Sequence, residues 1–111
     1  MTNILKYDVV VVKFPFASSL TYKARPAVIV SSSIYNSSKR ETLLIMAISS
    51  SQKNKLDFEI NLKDWESSGL LKSSIFKSAI ATIEREFVLE KIGKLSNRDI
   101  EALEKLLEII C

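Results

Sequence analysis

The sequence predicts a mainly β chain of the α+β kind: a small, strongly bent sheet or partly open barrel, with one C-terminal amphipathic helix packed across it. Three observations carry this reading. Apolar runs of strand length, rich in β-branched residues, recur through the first 84 of the 111 residues. One segment alternates apolar and polar residues with the period of a half-wet strand. The last sixteen residues switch to a helical period. A chain of this length has room for one domain, 1–111, that buries roughly two thirds of the surface its unfolded form exposes.

Taken in order, YDVVVVKF (Tyr7 to Phe14) and PAVIVSS (Pro26 to Ser32) read as core strands. The ten residues between them, PFASSLTYKA (Pro15 to Ala24), exceed what a tight hairpin needs, and long loops on a rigid sheet often carry function. TLLIMAISS (Thr42 to Ser50) is a third buried strand. In LDFEINL, residues Leu56, Phe58, Ile60 and Leu62 are expected inward, with Asp57, Glu59 and Asn61 in water. DWESSGL (Asp64 to Leu70) has a capping aspartate and a terminal Gly69, the marks of a single helical turn. SSIFKSAIATIE (Ser73 to Glu84) supplies one or two further strands. Ser96, with Asp99 three residues on, caps a helix running from about Asn97, with Ile100, Leu103, Leu106, Leu107 and Ile110 on one stripe.

Composition removes several kinds of chemistry. With no histidine there is no Ser/His triad and no residue that titrates at neutral pH by default. The lone cysteine, Cys111, rules out an internal disulfide and a cysteine-based zinc site, which suits a reducing cytosol. Glycine occurs only at Gly69 and Gly93, which excludes glycine-rich phosphate loops. No apolar stretch approaches bilayer-spanning length and the N-terminus reads as a strand, so a cytoplasmic protein is expected. Glu101, Glu104 and Glu108 fall on a solvated helix face. Charge is uneven: residues 1–60 hold eight basic and four acidic residues, and residues 61–111 hold eight and nine. The first part is the side expected to meet an anionic partner.

Arginine, lysine and hydroxyls near strand ends remain. Arg25 stands before Pro26 at the entry to the second strand, and Ser49, Ser50 and Ser51 follow the third. Positive charge beside hydroxyl donors is a phosphate site in outline. The plainer alternative pairs Arg25 with an acid such as Asp8 or Glu41 and leaves the serines to make turns.

The succession of an Asp-Val-Val strand start, RPAVIVSS, IYN, AISS, GLLKSS, IATIE and KIGKLS before a final helix resembles the MazF/PemK family of toxin endoribonucleases from about Tyr7 to Ile110. The resemblance implies an SH3-like barrel and a homodimer that cleaves single-stranded mRNA without a metal or other cofactor. It also implies inhibition by a cognate acidic antitoxin, with which such toxins bind DNA. Carried over residue by residue, the arginine of the family's Arg-Pro pair falls on Arg25 and the hydroxyl closing its third strand on Ser49, as catalytic residues. Arg25 is then expected to stabilise charge on the scissile phosphate, with Ser49 holding that phosphate in line. Lys23, Ser50, Lys53, Lys55 and Lys77 are the expected RNA contacts. A guanidinium does not serve as the proton carrier, so the general base stays unassigned.

The chain departs from the family pattern at Tyr7, where a glycine usually precedes the first-strand aspartate. It departs again at Ser78, Ala79 and Ala81, where many members carry acidic, basic or amide residues. A catalytically attenuated RNA-binding homologue, and a gyrase-poisoning protein of the CcdB kind, are the alternatives. Since nothing here groups ligands for a metal ion, the nucleophile expected is the RNA's own 2′-hydroxyl.

Overall fold

The computed structural model describes residues 4–14, 23–50 and 58–111. Among these are six strands: β1 Asp8–Phe14, β2 Lys23–Ile29, β3 Thr42–Ser49, β4 Ile60–Asn61, β5 Ile75–Glu84 and β6 Val88–Lys94. They form one antiparallel sheet in the order β4-β5-β3-β2-β1-β6, which stays open, with β4 and β6 at its edges. Helix α1, Ser33–Asn36, bridges β2 and β3, and α2, Asn97–Ile110, ends the chain as expected.

The continuous apolar runs have a simple cause, since the central strands are covered on both faces. Alternation sends Val9, Val28, Met46 and Ile48 to the α2 side, where they meet Leu62, Phe76, Leu103 and Leu106. Val10, Val12, Ala27, Ile29, Leu43 and Ile45 go to the other side, joined by Ile4 and Ile83. Leu103 and Leu106 are fully buried, which at roughly 1.5–3 kcal/mol each accounts for much of what holds α2 on the sheet.

Several expectations are corrected. β1 begins at Asp8, because Tyr7 sits in the left-handed region with φ 77°. β2 starts at Lys23 and ends at Ile29, so Arg25 lies within a strand rather than ahead of one. Only Ile60 and Asn61 of the expected 56–62 strand pair with a neighbour, while Leu56 and Asp57 lie outside the described residues. Its wet and dry faces also exchange at the start: Phe58, at φ 65°, is 56% exposed, and Glu59 is buried. The left-handed turn at Phe58 flips the alternation, and Lys77, at 3.0 Å, supplies the charge that lets Glu59 sit inside. The stretch 73–84 contains the single strand β5, Ile75–Glu84, with a register jump that sets Lys77, Ser78 and Ala79 opposite Ala47 alone. Residue pattern alone did not reveal α1 or β6.

Candidate active site

The site begins with a missing donor. Val30 N donates to Leu44 O at 2.9 Å, which fixes the register in which alternate β2 residues turn their backbone groups to β3. Pro26 occupies the next-but-one position of that series and has no N–H to give. Pairing between β2 and β3 accordingly ends at Ala27 and Ala47, one residue short of Pro26. Arg25 and Ser49 each lie two residues beyond that last pair, one on each strand. Both line the cleft that opens there.

This cleft encloses about 550 Å³. Val11, Pro26 and Ile48 give it an apolar floor, and Ser50, Lys72, Ser74 and Glu90 add polar groups around Arg25 and Ser49. Arg25 is exposed, and none of the ion pairs among the described residues includes it. The two acids considered as its partners are placed otherwise. Asp8 is buried, ion-paired with Lys91 at 3.3 Å and bonded by Leu5 N at 2.8 Å, while Glu41 sits exposed in a left-handed turn.

One wall of the cleft comes from residues 69–74, held by a turn whose hydrogen bonds can be traced individually. Gly69 N donates to Glu66 O and Leu70 N to Trp65 O, each at 3.1 Å. With Gly69 at φ +89°, this is the glycine-closed helical ending that DWESSGL predicts. The turn is pressed onto β6. A methyl placed on Gly69 would stand 2.1 Å from the carbonyl oxygen of Ile92, and one on Gly93 would stand 2.3 Å from that of Ser68. The chain's two glycines thus permit the same close approach from opposite sides.

Helix α2 anchors the other end of this segment. Asp99, fully buried, accepts the backbone N–H groups of Lys63 and Asp64, both at 2.9 Å. Asp64 in turn accepts two bonds from the Arg98 guanidinium at 2.7 Å and one from Ser96 Oγ at 2.6 Å. The Arg98 bonds, followed by the Ser96 bond, hold the Asp64 carboxyl well below the usual carboxylate range and raise the guanidinium in return. Ser96 caps α2 as the sequence predicts, accepting from Asp99 N at 3.3 Å. Asp99 spends its carboxylate on the 63–64 backbone.

The expected site residues fall in several places. Arg25, Ser49 and Ser50 share the cleft. Lys77 is ion-paired with Glu59 and does not line it. Lys23 is in β2, with its side chain outside the description, and Lys53 and Lys55 lie beyond the described residues altogether. Ser78 donates its hydroxyl to the Phe58 carbonyl, and Ala79 and Ala81 are exposed on β5. Tyr7 takes the left-handed conformation that a glycine adopts at no cost, and burial, then its hydrogen bond with Glu104, pushes its phenol up. The residues that sequence reasoning missed are Glu90, Lys72 and Ser74. Glu90 belongs to the strand that pattern did not find. Lys72 and Ser74 lie within GLLKSS, where only the family resemblance gave a signal.

Among the described residues, no three His, Cys, Asp or Glu side chains are grouped to hold a metal ion, and no helix is long and apolar enough to cross a membrane. A small open β sheet, a capping helix and a cationic cleft at a split strand end define the class. The chain belongs to the PemK-like, MazF-like toxin family of type II toxin-antitoxin systems, whose family model matches residues 5–111. Solved structures agree on the fold. A mycobacterial endoribonuclease in complex with its cognate antitoxin superimposes with a TM-score of 0.74 at 14% identity, over 99% of this chain and 94% of that one. The Mycobacterium tuberculosis toxin MazF-mt6 gives 0.74 at 17% identity, over 93% and 94%. MazE-MazF from Deinococcus radiodurans gives 0.73 at 16%, over 96% and 95%. Among curated proteins, none matches this chain.

Proposed function

We propose that this chain is a toxin that cleaves single-stranded mRNA at particular sequences without a metal ion, by directing each 2′-hydroxyl at its own phosphate. The observation that carries the reading is the meeting of Arg25 and Ser49 in one cleft, opened by the proline between Arg25 and the rest of β2. The planar guanidinium stabilises the negative charge that builds on the phosphorane oxygens, and the Ser49 hydroxyl fixes the phosphate so that the attacking and leaving oxygens are in line. The products are a 2′,3′-cyclic phosphate and a 5′-hydroxyl. Lys23, Ser50, Lys53 and Lys55 contribute to RNA binding in this reading, Lys77 being held by Glu59. A cognate acidic antitoxin covers the basic region around Lys23 and Arg25, as two of the similar structures carry an antitoxin. The toxin works as a cytoplasmic homodimer, and with its antitoxin it binds DNA.

The test is induced expression of wild type beside Arg25→Ala, with total RNA examined for fragments and the purified proteins assayed on oligonucleotides. Wild type is expected to cut in the presence of EDTA and to lose activity steeply with added salt. It is also expected to stop when the nucleotide 5′ of the scissile bond is 2′-deoxy. Undiminished cutting of that deoxy substrate refutes the mechanism. Intact RNA in cells expressing wild type refutes the nuclease.

A further inference from the structure

Transfer to a 2′-hydroxyl needs a group that takes its proton, and Arg25 and Ser49 leave that role empty. Four carboxylates of the fold are already engaged. Asp8 is tied to Lys91 and Leu5 N, Glu59 to Lys77, Asp64 to Arg98 and Ser96, and Asp99 to the 63–64 backbone. Among the described residues, Glu90 is the only carboxylate that lines the cleft; it is exposed, and no ion pair among them holds it.

The sheet sets its distance from Pro26, the chain neighbour of Arg25. Val11 pairs with Pro26 on one side and with Glu90 on the other, so Glu90 and Pro26 share a row and a face, two strand spacings or about 10 Å apart. Register slips on either side, between Val9 and Val10 and between Val11 and Val12, confine Glu90 and Lys91 to a two-residue stretch of regular pairing. Bulges of this kind re-aim side chains at sheet edges. A ribose and its 3′-phosphate fill a gap of that width over Val11, with the sugar toward β6 and the phosphate toward the β2 side of the cleft, which Arg25 also lines.

We infer that Glu90 is the general base of the cleft, a reading that rests on the nuclease function proposed above. Its carboxylate takes the proton from the 2′-hydroxyl as the O2′–P bond forms. The P–O5′ bond then breaks, the departing 5′-oxygen takes a proton from water, and Glu90 returns its own to solvent. A carboxylate facing a polyanion weakens binding, which gives the assignment a signature that a structural role lacks. Removing the charge should slow cleavage and tighten binding together.

The experiment compares wild type, Glu90→Gln and Glu90→Asp on an RNA oligonucleotide that wild type cuts, and measures binding to the same oligonucleotide with a 2′-O-methyl group at the scissile position. Glu90→Gln is expected to lower kcat about 100-fold or more and to bind the uncleavable RNA at least as tightly as wild type. Glu90→Asp keeps cleavage at a reduced rate. Wild-type kcat in Glu90→Gln overturns the assignment while leaving the nuclease standing. A wild type that cuts no RNA overturns both.

Discussion

At the N-terminus of α2 every carboxylate has found a donor: Asp99 takes two backbone N–H groups, and Asp64 takes Arg98 and Ser96. At the split end of β2 and β3, by contrast, Arg25, Lys72 and Glu90 face one cleft, and no ion pair among the described residues ties any of them down. The same residue types serve opposite ends in the two places. Charge answered from inside the molecule fixes where a segment lies, and charge left unanswered beside a cleft is available to a ligand. The two regions are also joined, because the turn clamped by α2 continues into the 69–74 wall of the cleft.

If the comparison is right, the largest effect comes from the cleft and leaves the fold alone. Arg25→Lys, which keeps the charge but not the planar fork, is expected to lower cleavage by 100- to 1,000-fold, about 2.7–4 kcal/mol of barrier. Its melting temperature should stay at the wild-type value. A matching drop in melting temperature would move Arg25 to the structural side.

A substitution at the join should spoil both properties. Gly69→Ala forces a side chain into the left-handed region and against the Ile92 carbonyl, at an expected cost of about 2–3 kcal/mol in urea unfolding. Cleavage should fall with it, since the wall that carries Lys72 must shift. Normal cleavage by a destabilised Gly69→Ala would uncouple turn from cleft.

Within the clamp, Asp99→Asn keeps one acceptor and loses the charge, with an expected loss of about 1–3 kcal/mol. Activity measured below the unfolding transition should be unchanged. The smallest effect belongs to Asp64. Its carboxyl is held below its unfolded value, so its contribution to stability is complete above the ordinary carboxylate range and disappears as pH falls through the lowered folded value. Asp64→Asn should therefore flatten the acid side of the stability profile below about pH 4. An unchanged acid slope would show that the Arg98 pair contributes nothing at this exposed position.

The elements legible in the sequence were those whose signal is local. The valine and isoleucine runs of β1 to β3, the glycine-closed turn at Gly69 and the Ser96 cap each carry their cause within a few residues. β6 was not legible, because its two bulges break the alternation of VLEKIGK and its pairing with β1 is set by residues far away in the chain. Glu90 went unseen for the same reason, since a carboxylate on an unrecognised strand has no face. The exchange of Phe58 and Glu59 was hidden by one left-handed residue, a reversal that hydropathy does not encode. Arg25 and Ser49 were readable as a pair from two strand ends and from the family resemblance. The parting of those ends at Pro26 is a matter of one absent hydrogen, visible once the ladder is drawn.

The pairing of β1 with β6 also has a consequence in time. The chain is made in order, and every other neighbour of the central strands is available before residue 88 has been added. The wall that bears Glu90, the strand on which Gly69 rests and the helix that clamps the turn all come last. A ribosome making this chain therefore carries a β sheet without a finished cleft until its final quarter emerges. Whatever the cleft does to RNA, no copy of the chain can do it before its own β6 has been added.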